Sequence, residues 1–276
     1  EKIMTHEELQ NKPIGVFDSG VGGLTVVSEI FKLLPGESIV YFGDVGRSPY
    51  GGRSKETIIN FARQDVRFLM EHHVKIIIVA CNSVSAVALE TLQDEFDIDI
   101  LGVIEPGAKA AMNHSRNNRI GIIGTKATIG SDSYARAIQK RRHETKVFSL
   151  ACPLFVPLAE EAYIEKEATY LIAQDYLKTL FDLDIDTLIL GCTHYPLLKS
   201  VIGKVMGPNV RLIDSAEETA RELAAVLSVR NLLRPSGGDV MHKFYVSDVP
   251  DKFSQIAERF LGRNINNITR VDITRY

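Results

Sequence analysis

Apolar residues along this chain gather into short unbroken runs, separated by longer stretches with helical spacing. Residues 13–17 (PIGVF), 38–42 (SIVYF), 74–80 (VKIIIVA) and 100–104 (ILGVI) are runs of the first kind. Runs of that length, bounded by turn residues, predict strands buried on both faces. Between them, residues 24–34, 54–71 and 84–95 repeat their apolar side chains at three and four, which predicts helices. The second of these opens on Ser54, a residue suited to an N-cap. Strands that alternate with helices predict an α/β fold built on a mostly parallel sheet flanked by helices.

The order then begins again. Residues 119–125 (RIGIIGT) echo residues 13–19 (PIGVFDS), and aligning Ile-Gly on Ile-Gly sets Thr125 on Ser19. A later strand in each half ends in cysteine: VKIIIVACNS at 74–83 and IDTLILGCTH at 185–194. Ile14 lies 67 residues before Cys81, and Ile120 lies 72 before Cys192. The shared layout predicts two similar α/β domains related by an internal pseudo-duplication; one doubly wound sheet is the alternative. Glu105-Pro106-Gly107 reads as a turn and a candidate boundary. After Asp214 the pattern predicts a helix at about 216–233, a Pro-Ser-Gly-Gly loop, a strand at 243–247, a helix at 250–261 and a strand near 268–273. Pattern alone leaves open which domain this tail joins. A cleft between two such domains is a common place for a small-molecule site.

Composition narrows the class. The 276 residues are 45% hydrophobic and 24% charged with a net charge of −3, the profile of an ordinary globular protein and not of a nucleic-acid or anionic-membrane binder. The densest basic run, Lys140-Arg141-Arg142-His143, closes a predicted helix, where the dipole favours cations. No apolar stretch approaches the span of a bilayer, residues 1–12 are polar without a signal-peptide pattern, and Met4 reads as a candidate natural start. The three cysteines are far apart and odd in number, which argues against a disulfide framework and for a cytoplasmic chain.

The candidate chemistry sits at strand ends, where open α/β sheets build their sites. Cys81 and Cys192 each follow a buried run and precede a helix, a setting that favours a thiolate able to act as base or nucleophile. Each alone also reads as a small buried hydrophobe, and Cys152, with no counterpart in the first half, reads as packing. His194 is placed to orient or protonate Cys192, or to cap the next helix. Asp18 is placed to position a thiol or a substrate ammonium, or to form an Asx turn before Gly20. Asn82, Ser83 and Thr193 suit an amino-acid carboxylate or plain helix capping. Glu160 and Glu161 read as a solvated face. Gly20-Val21-Gly22-Gly23 lacks the third glycine of a dinucleotide fingerprint, whose place is held by Thr25. Cys192 and His194 lack further ligands at zinc spacing. No lysine is marked out for pyridoxal phosphate, so that chemistry stays open on the residues alone.

Taken together, IGVFDSGVGGLTV (14–26), YFGD (41–44), SPYGGRSKETI (48–58), IIVACNS (77–83), GVIEPG (102–107), IGIIGT (120–125), CPLFVPLAEE (152–161) and LILGCTHYPLL (188–198) resemble the glutamate racemases of the cofactor-independent aspartate/glutamate racemase family. The departures are Ser83 where Thr is usual and Val45-Gly46 where Thr-Ala is more frequent. The resemblance implies that Cys81 and Cys192 face opposite sides of the substrate Cα, one removing the α-proton and the other delivering a proton. It makes Asp18 the helper of Cys81, and Glu160 and His194 the helpers of Cys192. It carries substrate contacts to Asp18, Ser19, Tyr50, Gly51, Asn82, Ser83, Thr125, Thr193 and His194, with no cofactor and no metal. It further implies a first domain of residues 13–104 plus 216–276, a second of 105–215, a homodimer, and D-glutamate made for bacterial peptidoglycan and cell shape. Two alternatives remain at this level: an aspartate racemase with the same thiols, and a binding protein that closes on an amino acid without chemistry.

Overall fold

The computed structural model describes residues 5–265 and 267–276; Met4, the candidate start, lies outside them. Among the described residues, ten strands form two separate sheets. In chain order they are β1 (Ile14–Asp18), β2 (Ile39–Gly43), β3 (Ile76–Val79), β4 (Ile100–Gly102), β5 (Arg119–Gly124), β6 (Lys146–Ala151), β7 (Thr187–Gly191), β8 (Arg211–Asp214), β9 (His242–Val246) and β10 (Ile268–Arg270). The first sheet runs β10-β9-β2-β1-β3-β4 and the second β6-β5-β7-β8, with every pairing parallel. The order β2-β1-β3-β4 therefore recurs as β6-β5-β7-β8, so the two-part α/β reading holds and the single-sheet alternative does not.

Burial follows from position in the sheet. β1, β2, β3 and β7 are interior strands and are buried at every residue, which is why they read as unbroken apolar runs. β6 lies at an edge, and none of its residues is fully buried. The tail adds β9 beside β2 and β10 beside β9, in the first sheet. Its helix, Ser215–Val229, packs on both the Leu24–Leu33 and Ile104–His114 helices.

Several local expectations are corrected. Glu105-Pro106-Gly107 is the start of the helix Ile104–His114, not a turn. Proline is tolerated in a first helical turn, where its missing N–H has no intrahelical partner to lose. The helix expected over 84–95 is two pieces, Asn82–Val87 and Leu89–Glu95, that meet at Ala88. The tail helix stops at Val229, and the last strand at Arg270. Residues 6–10 form an unforeseen short helix, closed by a capping box of Thr5 and Glu8. Ser54 is the N-cap foreseen for Lys55–Glu71, accepting from the Thr57 N–H at 3.3 Å.

Candidate active site

In each sheet the chain turns back on itself beside its first strand: from β2 across β1 to β3, and from β6 across β5 to β7. Ligands of open parallel sheets bind beyond the strand carboxyl ends at such points. Asp18 and Ser19 leave the end of β1, and Cys81 follows β3 as the N-cap of Asn82–Val87. Thr125 leaves β5 as an N-cap whose hydroxyl accepts from the Thr128 N–H at 3.3 Å. Cys192, Thr193 and His194 follow β7.

Both points open on one cavity of about 270 Å³. Ser19, Cys81, Asn82 and Ser83 border it from the first sheet, and Thr125, Cys192, Thr193 and His194 from the second. Tyr50 and Gly51 border it from the loop after β2, while Pro49, Pro153, Val156 and Pro157 supply apolar wall. Among the described residues no Asp or Glu lines the cavity; serines, threonines, Asn82, two cysteines, His194 and Lys126 do. Such a lining suits a small anion.

The two thiols have different surroundings. Cys81 Sγ donates to Ser19 Oγ over 3.5 Å. Burial pushes its thiol up to about 12, and the negative charge of Asp18 adds to the effect. Asp18 is fully buried and does not border the cavity. Its Oδ2 accepts from the Gly20 N–H at 2.9 Å, while Oδ1 has no hydrogen-bond partner among the described residues. Burial raises its carboxyl above the usual range, against the opposing pull of His194 and the Gly20 and Gly23 N–H groups. Cys192 Sγ instead lies 3.8 Å from His194 Nδ1, and His194 Nε2 lies 2.8 Å from Glu160 Oε1. Burial alone would lower the imidazole; contact with Cys192 and Glu160 outweighs it and lifts His194 to about 10. Glu160 is also outside the cavity wall and holds the ring from behind. The ring edge meets Phe260 at 5.2 Å between centroids, and the Glu160 carbonyl accepts from Arg259 at 2.6 Å.

The remaining expected residues divide. Ser83 Oγ and Thr125 Oγ1 share a hydrogen bond at 2.9 Å across the two halves. The Tyr50 hydroxyl is committed to Asp44 and to Asp65, leaving its ring and backbone for the cavity. Gly51 packs so close that a Cβ would fall 2.7 Å from Thr125 Cβ. Gly22, in the loop that failed as a dinucleotide motif, is tighter still: a Cβ would lie 2.2 Å from Thr193 Oγ1 and 2.7 Å from the His194 ring. Gly22 thus serves a close approach between halves, while Gly23 makes room for Asp18, Ala80 and Tyr41 within the first. Cys152 is buried away from the cavity beside Phe155 and Tyr195, with its thiol pushed up to about 12 by burial. Ser48, beside Pro49 in SPYGGRSKETI, also borders the cavity. Tyr134, whose hydroxyl donates to Asn82 Oδ1 at 2.6 Å, had no local signal. Among the described residues, no three His, Cys, Asp or Glu side chains gather as a metal site.

The profile of the Asp/Glu/hydantoin racemase family matches residues 34–223. A glutamate racemase of Geobacter metallireducens is 50% identical over 262 residues, 95% of this chain and 97% of that one. The crystal structure of glutamate racemase from Francisella tularensis in complex with D-glutamate superposes with a TM-score of 0.91 at 40% identity, covering 97% of this chain and all of that one. A glutamate racemase isoform of Bacillus anthracis gives 0.92 at 43% identity, covering 95% and 98%. With two thiols at equivalent strand ends on one cavity, and with relatives matched over nearly their full length, the chain belongs to the Asp/Glu/hydantoin racemase family, in its glutamate racemase branch.

Proposed function

We propose that the protein interconverts L- and D-glutamate by a two-base reaction at Cα that needs no cofactor. The observation that carries this reading is the pairing of Cys81 and Cys192 at matched positions of a repeated topology, on one cavity. Racemisation needs groups on opposite faces, since a single base tends to return the proton to the face it came from. In one direction Cys192, with His194 beside it at 3.8 Å, takes the α-proton, and the Cys81 thiol gives its proton to the other face. In the reverse direction Cys81, with Asp18 as its charged neighbour, is the base, and Cys192 gives its proton to the other face. Asp18, Glu160 and His194 thus act through the two sulfurs. The α-carboxylate, where carbanion charge accumulates, and the side-chain carboxylate bind to hydroxyls and N–H groups of Ser19, Tyr50, Gly51, Asn82, Ser83, Thr125, Thr193 and His194.

The site lies in the cleft of two domains, residues 13–104 plus 216–276 and residues 105–215. The reading extends to a cytoplasmic enzyme supplying D-glutamate for peptidoglycan and cell shape. It also extends to a homodimer, for which the exposed Leu154, Tyr163, Leu171 and Phe181 offer apolar surface; sedimentation velocity tests that point. Among the described residues no helix is long and apolar enough to cross a membrane.

The deciding experiment incubates the purified protein with L-glutamate in D₂O without added cofactor. D-glutamate carrying deuterium at Cα is expected. Product that keeps the original hydrogen sinks the two-base scheme, and equal or faster turnover of L-aspartate sinks the choice of substrate.

A further inference from the structure

Asn82 borders the cavity and is 2% exposed. Its amide has an accepting end and a donating end, and only the donating end can bind a carboxylate. Oδ1 accepts from the Tyr134 hydroxyl at 2.6 Å, a separation typical of O–H···O and short for N–H···O. Nδ2 has no hydrogen-bond partner among the described residues. A buried donor left so is costly unless something meets it.

Tyr134 does not border the cavity. It stands on the helix Ser133–Arg141, which belongs to the second half, whereas Asn82 opens a helix of the first. The neighbouring Ser133 hydroxyl donates to the Ala86 carbonyl at 2.6 Å and pins that helix against Asn82–Val87. Burial raises the Tyr134 phenol above its ordinary range, so it stays a donor throughout the working pH range.

From this geometry we infer that Tyr134 is a positioning residue: it fixes the Asn82 amide with its NH₂ group presented to a substrate carboxylate. The inference rests on the glutamate reading above for the identity of that carboxylate. Its consequence is that recognition by Asn82, a residue of the first half, depends on a contact made by the second.

The test compares wild type, Tyr134→Phe, Asn82→Ala and the double variant with L- and D-glutamate, by steady-state kinetics and thermal melting. Tyr134→Phe keeps the ring and removes the donor. KM is expected to rise about tenfold, the scale of one charge-assisted hydrogen bond. kcat should change less than about threefold, the pattern of lost ground-state binding. In the Asn82→Ala background the same change should raise KM by less than about twofold, because the two residues act as one unit. An unchanged KM for Tyr134→Phe, or an equal rise in both backgrounds, overturns the inference. A lowered melting temperature with KM unchanged makes Tyr134 merely structural. Wild type inert toward both enantiomers overturns the glutamate reading itself, and the named carboxylate with it.

Discussion

Cys81 and Cys192 occupy equivalent strand ends, yet they meet different partners: a buried carboxylate behind one, an imidazole beside the other. On the two-base reading neither is dispensable, so Cys81→Ala and Cys192→Ala should each lower kcat/KM by about a thousandfold or more. A Cys192→Ala enzyme near normal rate would remove that thiol from the chemistry. The charge of Asp18 helps hold the Cys81 proton, so Asp18→Asn should speed alkylation of Cys81 by iodoacetamide at fixed pH, followed by peptide mass spectrometry. An unchanged labelling rate would leave burial as the sole cause. For His194 the folded value of about 10 lies above the unfolded one of about 6.5. Its contribution to stability is therefore full below pH about 6.5 and is lost as pH rises through about 10. The gap in urea midpoint between wild type and His194→Gln should narrow over that range; a constant gap would refute the assignment. The sequence singles out both thiols, Asp18 and His194, because each stands at the end of an apolar run. Their proton affinities were not legible there, since these depend on burial and on contacts such as His194 with Glu160, which come from distant segments.

At the scale of elements, legibility tracks burial. Interior strands such as β1 and β3 announce themselves because both faces are covered, whereas the Ile104–His114 helix was masked by a Pro-Gly pair that a first turn accepts. The Gly20–Gly23 loop shows the same limit: its glycines were visible, but their purpose depends on Thr193 and His194 packing on Gly22. Gly22→Ala should displace that pair by a substantial fraction of an ångström. Misplacement on that scale costs about a hundredfold in rate, so kcat/KM should fall by that order while the melting temperature falls only slightly. Near-normal activity would show that the loop yields freely and that its closeness to His194 carries no function.

For the whole molecule, the tail matters more than its modest pattern indicated. Lys75 and Glu37 form a buried pair at 2.6 Å. Lys75 Nζ also donates to the Gln10 and Leu232 carbonyls, and Glu37 Oε1 accepts from the Arg234 N–H. This knot ties the N-terminal helix and the tail to the first sheet. Lys75→Met leaves the carboxylate buried without its cation and should cost about 3–5 kcal/mol, read from urea unfolding, with KM for glutamate unchanged. A loss below about 1 kcal/mol would mean that water reaches Glu37. The strand order has a consequence for synthesis. The second sheet is complete once Asp214 has been made, but the first waits for β9 and β10. The half that begins the chain is thus the last to finish, against the usual N-to-C order of folding. Until His242–Val246 emerges, the outer edge of β2 has no neighbour, and its residues Ile39-Val40-Tyr41-Phe42 make it a strongly adhesive strand. A released chain truncated between 215 and 241 should therefore carry a finished second sheet beside an open, aggregation-prone edge.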